Sequence, residues 1–202
     1  SSDLPSPGMD AFAESPEWGG SLVIFPFMYY ETYGDDSLIR KYYSNMRRYV
    51  DYLKTRANNG ILSFGLGDWY DYGDFRAGFS RNTPVPLVAT AHYYMTVMYL
   101  VKAAGMVGNE FDVRYYSSLA HDIMVAFNKC FLDNNTAQYG TGSQCSNALP
   151  LFLPLFLHLT QSAGEQGVCQ PDTNLNKKVL FNLIKDVKAH GDRLTTGDVG
   201  NR

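Results

Sequence analysis

The sequence predicts an all-α fold, a toroid of helical hairpins of which about three are present in the 202 residues. Three observations predict it. No segment sustains the polar and apolar alternation of a half-buried strand. Six segments instead carry helical start and stop signals with apolar residues three or four apart. These six alternate between nearly uncharged and amphipathic, as expected when each inner helix is followed by an outer one.

The first inner helix opens at Ser15-Pro16-Glu17, a cap residue, a proline at the first helical position and an acid in the first turn. It runs through Leu22 to Tyr33, apolar almost all round, and stops at Gly34. The second helix sets Leu38, Ile39, Tyr42, Met46, Tyr49, Val50 and Leu53 against Arg40, Lys41, Arg47, Arg48 and Lys54, and ends at Asn59-Gly60. Thr83-Pro84 opens the third, which has hardly a charge before Lys102 and stops at Gly105; it is predicted to be inner. The fourth, from about Asn109 to Leu132, carries Phe111, Tyr115, Leu119, Ile123, Phe127 and Phe131 as one stripe and is predicted to be outer. The fifth, roughly Asn147 to Ala163, has no charged residue. The sixth, Leu175 to His190, sets Val179, Leu183, Ile184 and Val187 against Lys177, Lys178, Lys185, Asp186 and Lys188.

The turns near Gly34-Asp35 and Gly105 to Gly108 are short, whereas Gly60 to Asn82 and Asp133 to Ser146 are long, and Gly164 to Asn174 is intermediate. Consecutive hairpin helices are antiparallel, so every long outer-to-inner loop emerges beside the N-termini of the inner helices. Function is expected on that face. Inner helices begin near Pro16, Pro84 and Asn147 without residue-level self-similarity. Three hairpins do not close a ring, and Thr195-Thr196-Gly197-Asp198 opens what reads as a seventh helix, so residues 1–202 are expected to be a fragment of a single domain.

Composition narrows the function. With 45% hydrophobic and 18% charged residues and a net charge of -3, the chain is globular and lacks the basic field that nucleic acid or anionic lipid requires. The longest apolar stretch, Ala148 to Leu159, is interrupted by Pro150 and Pro154 and is too short to span a bilayer. The first residues do not read as a signal peptide. Cys130, Cys145 and Cys169 form no CxxC pair and read as free thiols.

The functional face carries Glu14 to Gly19, Gly65 to Asp74 and Tyr139 to Gln144, and both tryptophans, Trp18 and Trp69, lie in these loops. Aromatic faces beside carboxylates and glycines are what a sugar needs, since its C–H bonds stack on the ring while carboxylates accept from its hydroxyls. The competing reading is that Trp18 and Trp69 plug the mouth of the toroid and that Glu17 and Asp68 cap helices or loops.

These residues resemble the α-L-rhamnosidases among the glycoside hydrolases. The similarity lies in Pro16-Glu17-Trp18-Gly19 followed by Tyr33-Gly34-Asp35, in Gly65-Leu66-Gly67-Asp68-Trp69 followed by Thr83-Pro84, in Gly142-Ser143-Gln144, and in Leu194 to Gly200. The resemblance implies an (α/α)6-barrel catalytic domain that removes terminal α-L-rhamnose from glycans or rhamnosides with inversion, using one Glu as general acid and another as general base. It places the acid upstream of Pro16 and the base beyond Thr195-Thr196-Gly197, so no catalytic residue is expected within these 202 residues. Inversion needs two carboxyl groups roughly 6.5 to 9.5 Å apart across the sugar, so this stretch alone is expected to be inactive. The resemblance makes Trp18 and Trp69 aromatic walls around rhamnose and Asp68 a hydroxyl acceptor. Glu17 is either a sugar contact or a first-turn acid favoured by the helix dipole. Targeting signals leave the localisation unknown, and the resemblance favours a periplasmic or secreted full-length protein.

No metal or cofactor is predicted. Asp68, Asp71 and Asp74 lack the EF-hand pattern, while His92, His121, His158 and His190 lie in four separate helices. Gly65-x-Gly67 and Gly140-x-Gly142 lack a nucleotide loop's third glycine. The alternative function is a non-catalytic sugar-binding helical protein with the same aromatic loops, and a helical scaffold for protein partners ranks behind it. The cut ring predicts homodimerisation through its open edge.

Overall fold

The computed structural model describes residues 14–71, 73, 78, 80–153 and 173–197. Among the described residues the regular structure is helical apart from one two-stranded hairpin and an isolated antiparallel bridge between Asn58 and Ile61. The elements are α1 (Pro16–Gly19), α2 (Ser21–Tyr33), α3 (Ser37–Arg56), α4 (Val85–Val107), α5 (Glu110–Phe131), β1 (Leu132–Asp133), β2 (Gln138–Tyr139), α6 (Gln144–Phe152) and α7 (Thr173–Ala189). Helices α1 and α2 continue one another through Gly20, which keeps right-handed helical dihedrals. They correspond to the first expected helix.

The inner and outer layers follow the charge pattern. Helix α4 packs against α1, α2, α3, α5 and α6, while α7 packs against α6. From Leu87 to Ala104, α4 buries residues on every side, as its lack of charge requires. Helix α3 buries only Ile39, Met46, Val50 and Leu53, one stripe of an otherwise exposed helix. The core joins Val23 and Phe27 of α2 to Ile39 and Met46 of α3, Tyr93, Val97 and Leu100 of α4, and Ile123 and Phe127 of α5.

Several boundaries and faces differ from expectation, among them the end of α4, which runs past Gly105 to Val107 and is capped by Gly108. Helix α3 stops at Arg56, because Ala57 turns extended, and Asn59-Gly60 instead form the two-residue turn of a tight hairpin in which Asn58 and Ile61 exchange backbone hydrogen bonds of 2.9 and 3.0 Å. The α6 start lies at Gln144, before Asn147, because Ser143 caps it by accepting from the Ser146 amide. The second half of that predicted helix, with Gly164 to Asn174 up to residue 172, lies outside the described residues, as do Asp74 and Asp198. On α5 the buried line begins one residue later than the expected stripe: Asp112, Tyr116 and Ala120 are buried, while Phe111 and Tyr115 are exposed and stack on one another at 6.3 Å. A polar network draws that face in. Asn109 caps the helix and bonds Asp112, whose Oδ2 accepts from Tyr43 at 2.6 Å and pairs with Arg47 at 3.0 Å, while the Tyr116 hydroxyl donates to Asp51 at 2.9 Å. Finally, Leu22, Phe25 and Met28 of α2 are exposed although the helix is inner; Phe25 and Met28 line an open cavity shared with α4 and α6.

Candidate functional site

Glu17 ties two of the expected loops together. It sits in the first turn of α1, only 7% exposed, and its Oε1 accepts from the Gly67 amide at 3.0 Å while Oε2 accepts from the Leu66 amide at 3.4 Å and from the Ser15 hydroxyl. Gly65 makes the approach possible: a Cβ there would stand 2.6 Å from Oε2, and its φ of +136° is one that side chains rarely adopt. Trp18, the next residue, is 55% exposed.

Beyond Gly67 the chain places Asp68, which is fully buried, and Trp69, which is half-buried with its ring edge-on to Tyr70 at 5.3 Å. Tyr70 is 55% exposed and holds a positive φ of 66°, an uncommon conformation for a bulky residue, which sets a second exposed aromatic beside Trp69. Asp71 Oδ2 accepts from the Arg81 and Asn82 amides at 2.8 and 2.6 Å, closing the loop on itself just before α4. Gly197 then lies flat on this loop, so close that a Cβ would fall 2.1 Å from the Trp69 carbonyl oxygen and 2.6 Å from that of Asp68.

The loop before α6 joins the same cluster. Thr83 at the approach to α4 bonds the Ser143 hydroxyl at 2.7 Å, and Ser143 bonds Ser146 at 2.8 Å. Asn147 accepts from the Tyr139 amide at 2.9 Å and donates to the Gly142 carbonyl, which holds the hairpin loop against the helix start. Gln144 is buried and reaches the chain after α7: its Nε2 donates to the Arg193 carbonyl at 3.1 Å and to Asp186 at 2.9 Å, and its Oε1 accepts from the Thr195 amide at 2.9 Å. The Cys145 thiol is pushed upward first by burial and then by the negative charge of Asp68, so these two side chains lie within electrostatic reach.

All three expected loops, and the Leu194 to Gly197 stretch with them, therefore meet at the N-terminal ends of the inner helices. Buried Ser15, Glu17, Asp68, Asp71, Thr83, Gln144, Ser146, Asn147 and Thr196 gather there, whereas the rest of the core is overwhelmingly apolar. Buried polar groups cost several kcal/mol unless bonded, roughly 1–3 in proteins, so a fold that concentrates them at one end holds a defined loop arrangement there. Trp18 and Trp69 share that end because Glu17 bonds the backbone two residues before Trp69. Beneath it, a cavity of 410 Å³ is lined by Glu17, Ile24, His92, Met95, Tyr99 and Leu149 among others, the surface that α2, α4 and α6 turn to one another. The tying roles of Gln144 and Asp71 and the exposure of Tyr70 were not legible in the sequence; the only hints were the cap pair Ser143 and Ser146 around Gln144 and the short spacing of Asp71 from Trp69.

Burial is the largest influence on Glu17 and raises its pKa above the ordinary 4.5, against the lowering effect of the Ser15, Gly67 and Leu66 hydrogen bonds. The folded state therefore holds this proton more tightly than the unfolded one. The stabilisation from that proton is full below 4.5 and is lost as pH rises through the folded value. Glu17→Gln, which carries no titrating proton, is expected to remove this downward slope, read as the difference in unfolding midpoint between the two proteins from pH 4 to 7; parallel midpoints would contradict it.

Comparison with known proteins agrees with this geometry. The bacterial alpha-L-rhamnosidase 6 hairpin glycosidase domain matches residues 3–202. An alpha-L-rhamnosidase of Alteromonas sp. (strain LOR) is 25% identical over 191 residues, 92% of this chain and 19% of that protein, and one of Formosa agariphila is 28% identical over 121 residues, 57% of this chain and 12% of that protein. The structure of alpha-L-rhamnosidase from Dictyoglumus thermophilum superposes with a TM-score of 0.79 at 30% identity, covering 92% of this chain and 20% of that one. The Streptomyces avermitilis alpha-L-rhamnosidase complexed with L-rhamnose shares the fold, with a TM-score of 0.74 at 21% identity over 91% of this chain and 16% of that one. The chain thus spans a fifth or less of the length of these relatives. Since the match runs from before α1 to beyond Gly197, across every loop that meets at the polar cluster, the chain belongs to the bacterial alpha-L-rhamnosidase six-hairpin glycosidase family.

Proposed function

We propose that this chain is part of a single (α/α)6-barrel domain whose full polypeptide hydrolyses terminal α-L-rhamnosides with inversion, and that its loops supply the walls of the sugar pocket. The observation that carries the reading is the meeting of exposed Trp18, half-buried Trp69 and exposed Tyr70 with a hydrogen-bonded polar cluster at one end of the inner helices. Rhamnose offers a C5 methyl and an apolar edge to stack on indole, and hydroxyls for polar partners. The general acid and base come from outside these 202 residues. The Streptomyces avermitilis relative, complexed with L-rhamnose, supports the choice of sugar.

The test is turnover of an aryl α-L-rhamnoside by the full polypeptide, with the anomer of the first product followed by NMR. β-Rhamnose as the first product is expected. Binding of rhamnose without turnover would favour the non-catalytic sugar-binding reading, and no binding would overturn both. Asp68 is proposed as a hydroxyl acceptor because it precedes Trp69 on the same loop; in this chain it lies fully buried. Asp68→Asn is expected to lower kcat/KM by about 10- to 100-fold, the range for a hydrogen bond to a charged group. An unchanged value would make Asp68 a structural residue. The 202-residue chain alone is expected to show no turnover.

The open flank gives a further expectation. Phe25, Met28 and Phe152 are 60%, 57% and 76% exposed along the inner layer, and a contiguous apolar patch of more than a few hundred Å² usually finds a partner. The isolated chain is expected to self-associate as a homodimer through this edge. Sedimentation should report a dimer that Phe25→Asp with Phe152→Asp dissociates; a monomer at all concentrations would contradict it.

A further inference from the structure

We infer that Glu17 is a positioning residue: its buried carboxylate fixes the Leu66 and Gly67 amides and so sets the orientation of Asp68 and Trp69, without meeting the sugar itself. The inference rests on the sugar-pocket reading above for its catalytic consequence, though not for its structural content.

Both oxygens are already engaged. Oε1 holds the Gly67 amide at 3.0 Å, and Oε2 holds the Leu66 amide at 3.4 Å and the Ser15 hydroxyl, in a side chain that is 7% exposed. A sugar hydroxyl would have to displace one of these bonds. The carboxylate also occupies the space where a Gly65 side chain would begin, since a Cβ there would come within 2.6 and 2.8 Å of its oxygens. The cradle is therefore built around a carboxylate on one side and a missing side chain on the other.

The leverage is short. Gly67 precedes Asp68 by one residue and Trp69 by two, and the backbone bonds that follow stay within the loop: Trp69 to Gly67 at 3.0 Å, Asp71 to Asp68 at 3.2 Å and Tyr70 to Gly78 at 2.8 Å. Local turns fix the loop's shape but not its place on the helices. Glu17 contributes to the latter at the middle of the loop, because it is anchored in the first turn of α1, 50 residues away in sequence, while Leu62 is tied to Thr90 of α4 at its start and Gly197 packs on it beyond Asp68. A carboxylate accepting two backbone amides makes charge-assisted bonds, stronger than neutral ones. Trp18 lies on the same turn of α1 as Glu17.

The experiment is a double-mutant cycle in the full polypeptide, combining Glu17→Ala with Trp69→Ala, read as kcat/KM on an aryl α-L-rhamnoside and as Kd for L-rhamnose by calorimetry. If Glu17 acts through the loop, its removal costs about 100-fold in kcat/KM when Trp69 is present, the order expected for a misplacement of about 1 Å, and about 10-fold or less once Trp69 is gone, the remainder being the part transmitted through Asp68. Additive losses would mean that Glu17 meets the sugar independently and would overturn the inference, as would an unchanged kcat/KM in Glu17→Ala. Glu17→Gln, which keeps one acceptor oxygen, is expected to fall between wild type and Glu17→Ala. Hydrogen exchange at the Leu66 and Gly67 amides decides the structural part whatever the catalytic outcome. Glu17→Ala should speed these two amides by about 10-fold or more, the ratio that loss of an ordinary hydrogen bond gives, while α4 and α5 stay protected. Unchanged exchange at residues 66 and 67, or acceleration spread evenly through α4 and α5, would overturn it. If wild type neither binds nor turns over a rhamnoside, the pocket reading falls and the exchange result still stands or fails by itself.

Discussion

Gly197→Ala in the full polypeptide is expected to lower kcat/KM for an aryl α-L-rhamnoside by about 100-fold, the loss typical of a site displaced by about 1 Å. A Cβ at this position would stand 2.1 Å from the Trp69 carbonyl oxygen, 2.6 Å from the Asp68 carbonyl oxygen and 2.7 Å from the Asp71 nitrogen. All three are backbone atoms, so no rotamer change relieves the clash. Carbon and oxygen need about 3.3 Å even in their closest favourable contacts, so the two segments must part by about an ångström. Either the Asp68 to Asp71 loop moves, taking Trp69 with it, or the Thr195 to Gly197 segment lifts and strains the bond from the Thr195 amide to Gln144. Gly105→Ala is the control. It lies on an exposed part of α4 with nothing within 4 Å of its Cβ, so the same change there is expected to leave turnover intact and to stabilise the helix by about 0.5–1 kcal/mol. Equal kcat/KM in Gly197→Ala and wild type would refute the close packing of these two segments.

Much of the layer order was legible because it rests on charge content, which burial enforces strongly. A 23-residue helix without a charged residue before Lys102 has only one place in a helical layer pair, and α4 occupies it. Helical phase was less legible on α5, because apolar residues stand at both Phe111 and Tyr115 and at the neighbouring Tyr116 and Ala120. Periodicity alone supports either line. What decided it was the polar pull of Asp112 toward Tyr43 and Arg47 on α3, a tertiary contact that no local pattern records. The site shows the same division. Loop topology brought Trp18 and Trp69 to one end, since antiparallel hairpins permit nothing else. Whether Glu17 spends its oxygens on a ligand or on the chain depends on where Leu66 and Gly67 come to rest, about 50 residues away in sequence. That is a question of packing, and only coordinates answer it.

The same distinction sets the largest stability effect. Phe127 and Phe111 belong to one apolar stripe in the sequence, yet Phe127 is fully buried and Phe111 is 68% exposed. Phe127→Ala is expected to cost about 3–5 kcal/mol, and Phe111→Ala less than about 0.5 kcal/mol. Phe127 packs against Phe131 at 5.0 Å and against Tyr139 at 5.6 Å. Tyr139 is itself buried, its hydroxyl donating to Asn128, the neighbour of Phe127 on α5, and its amide donating to Asn147 at the start of α6. The cavity left by Phe127 would therefore loosen the β1–β2 hairpin and, through Asn147, the turn that carries Ser143 and Gln144. Hydrogen exchange in the full polypeptide should show the α5 amides losing protection together with those of residues 139–147, while α3 keeps its own. Turnover should fall with temperature well before global unfolding. Loss of protection in α5 with an undisturbed α6 start would break the proposed mechanical link from this core to the candidate site, whereas a cost below about 1 kcal/mol would mean that the layer collapses to fill the space, which the dense ring contacts around Tyr139 oppose.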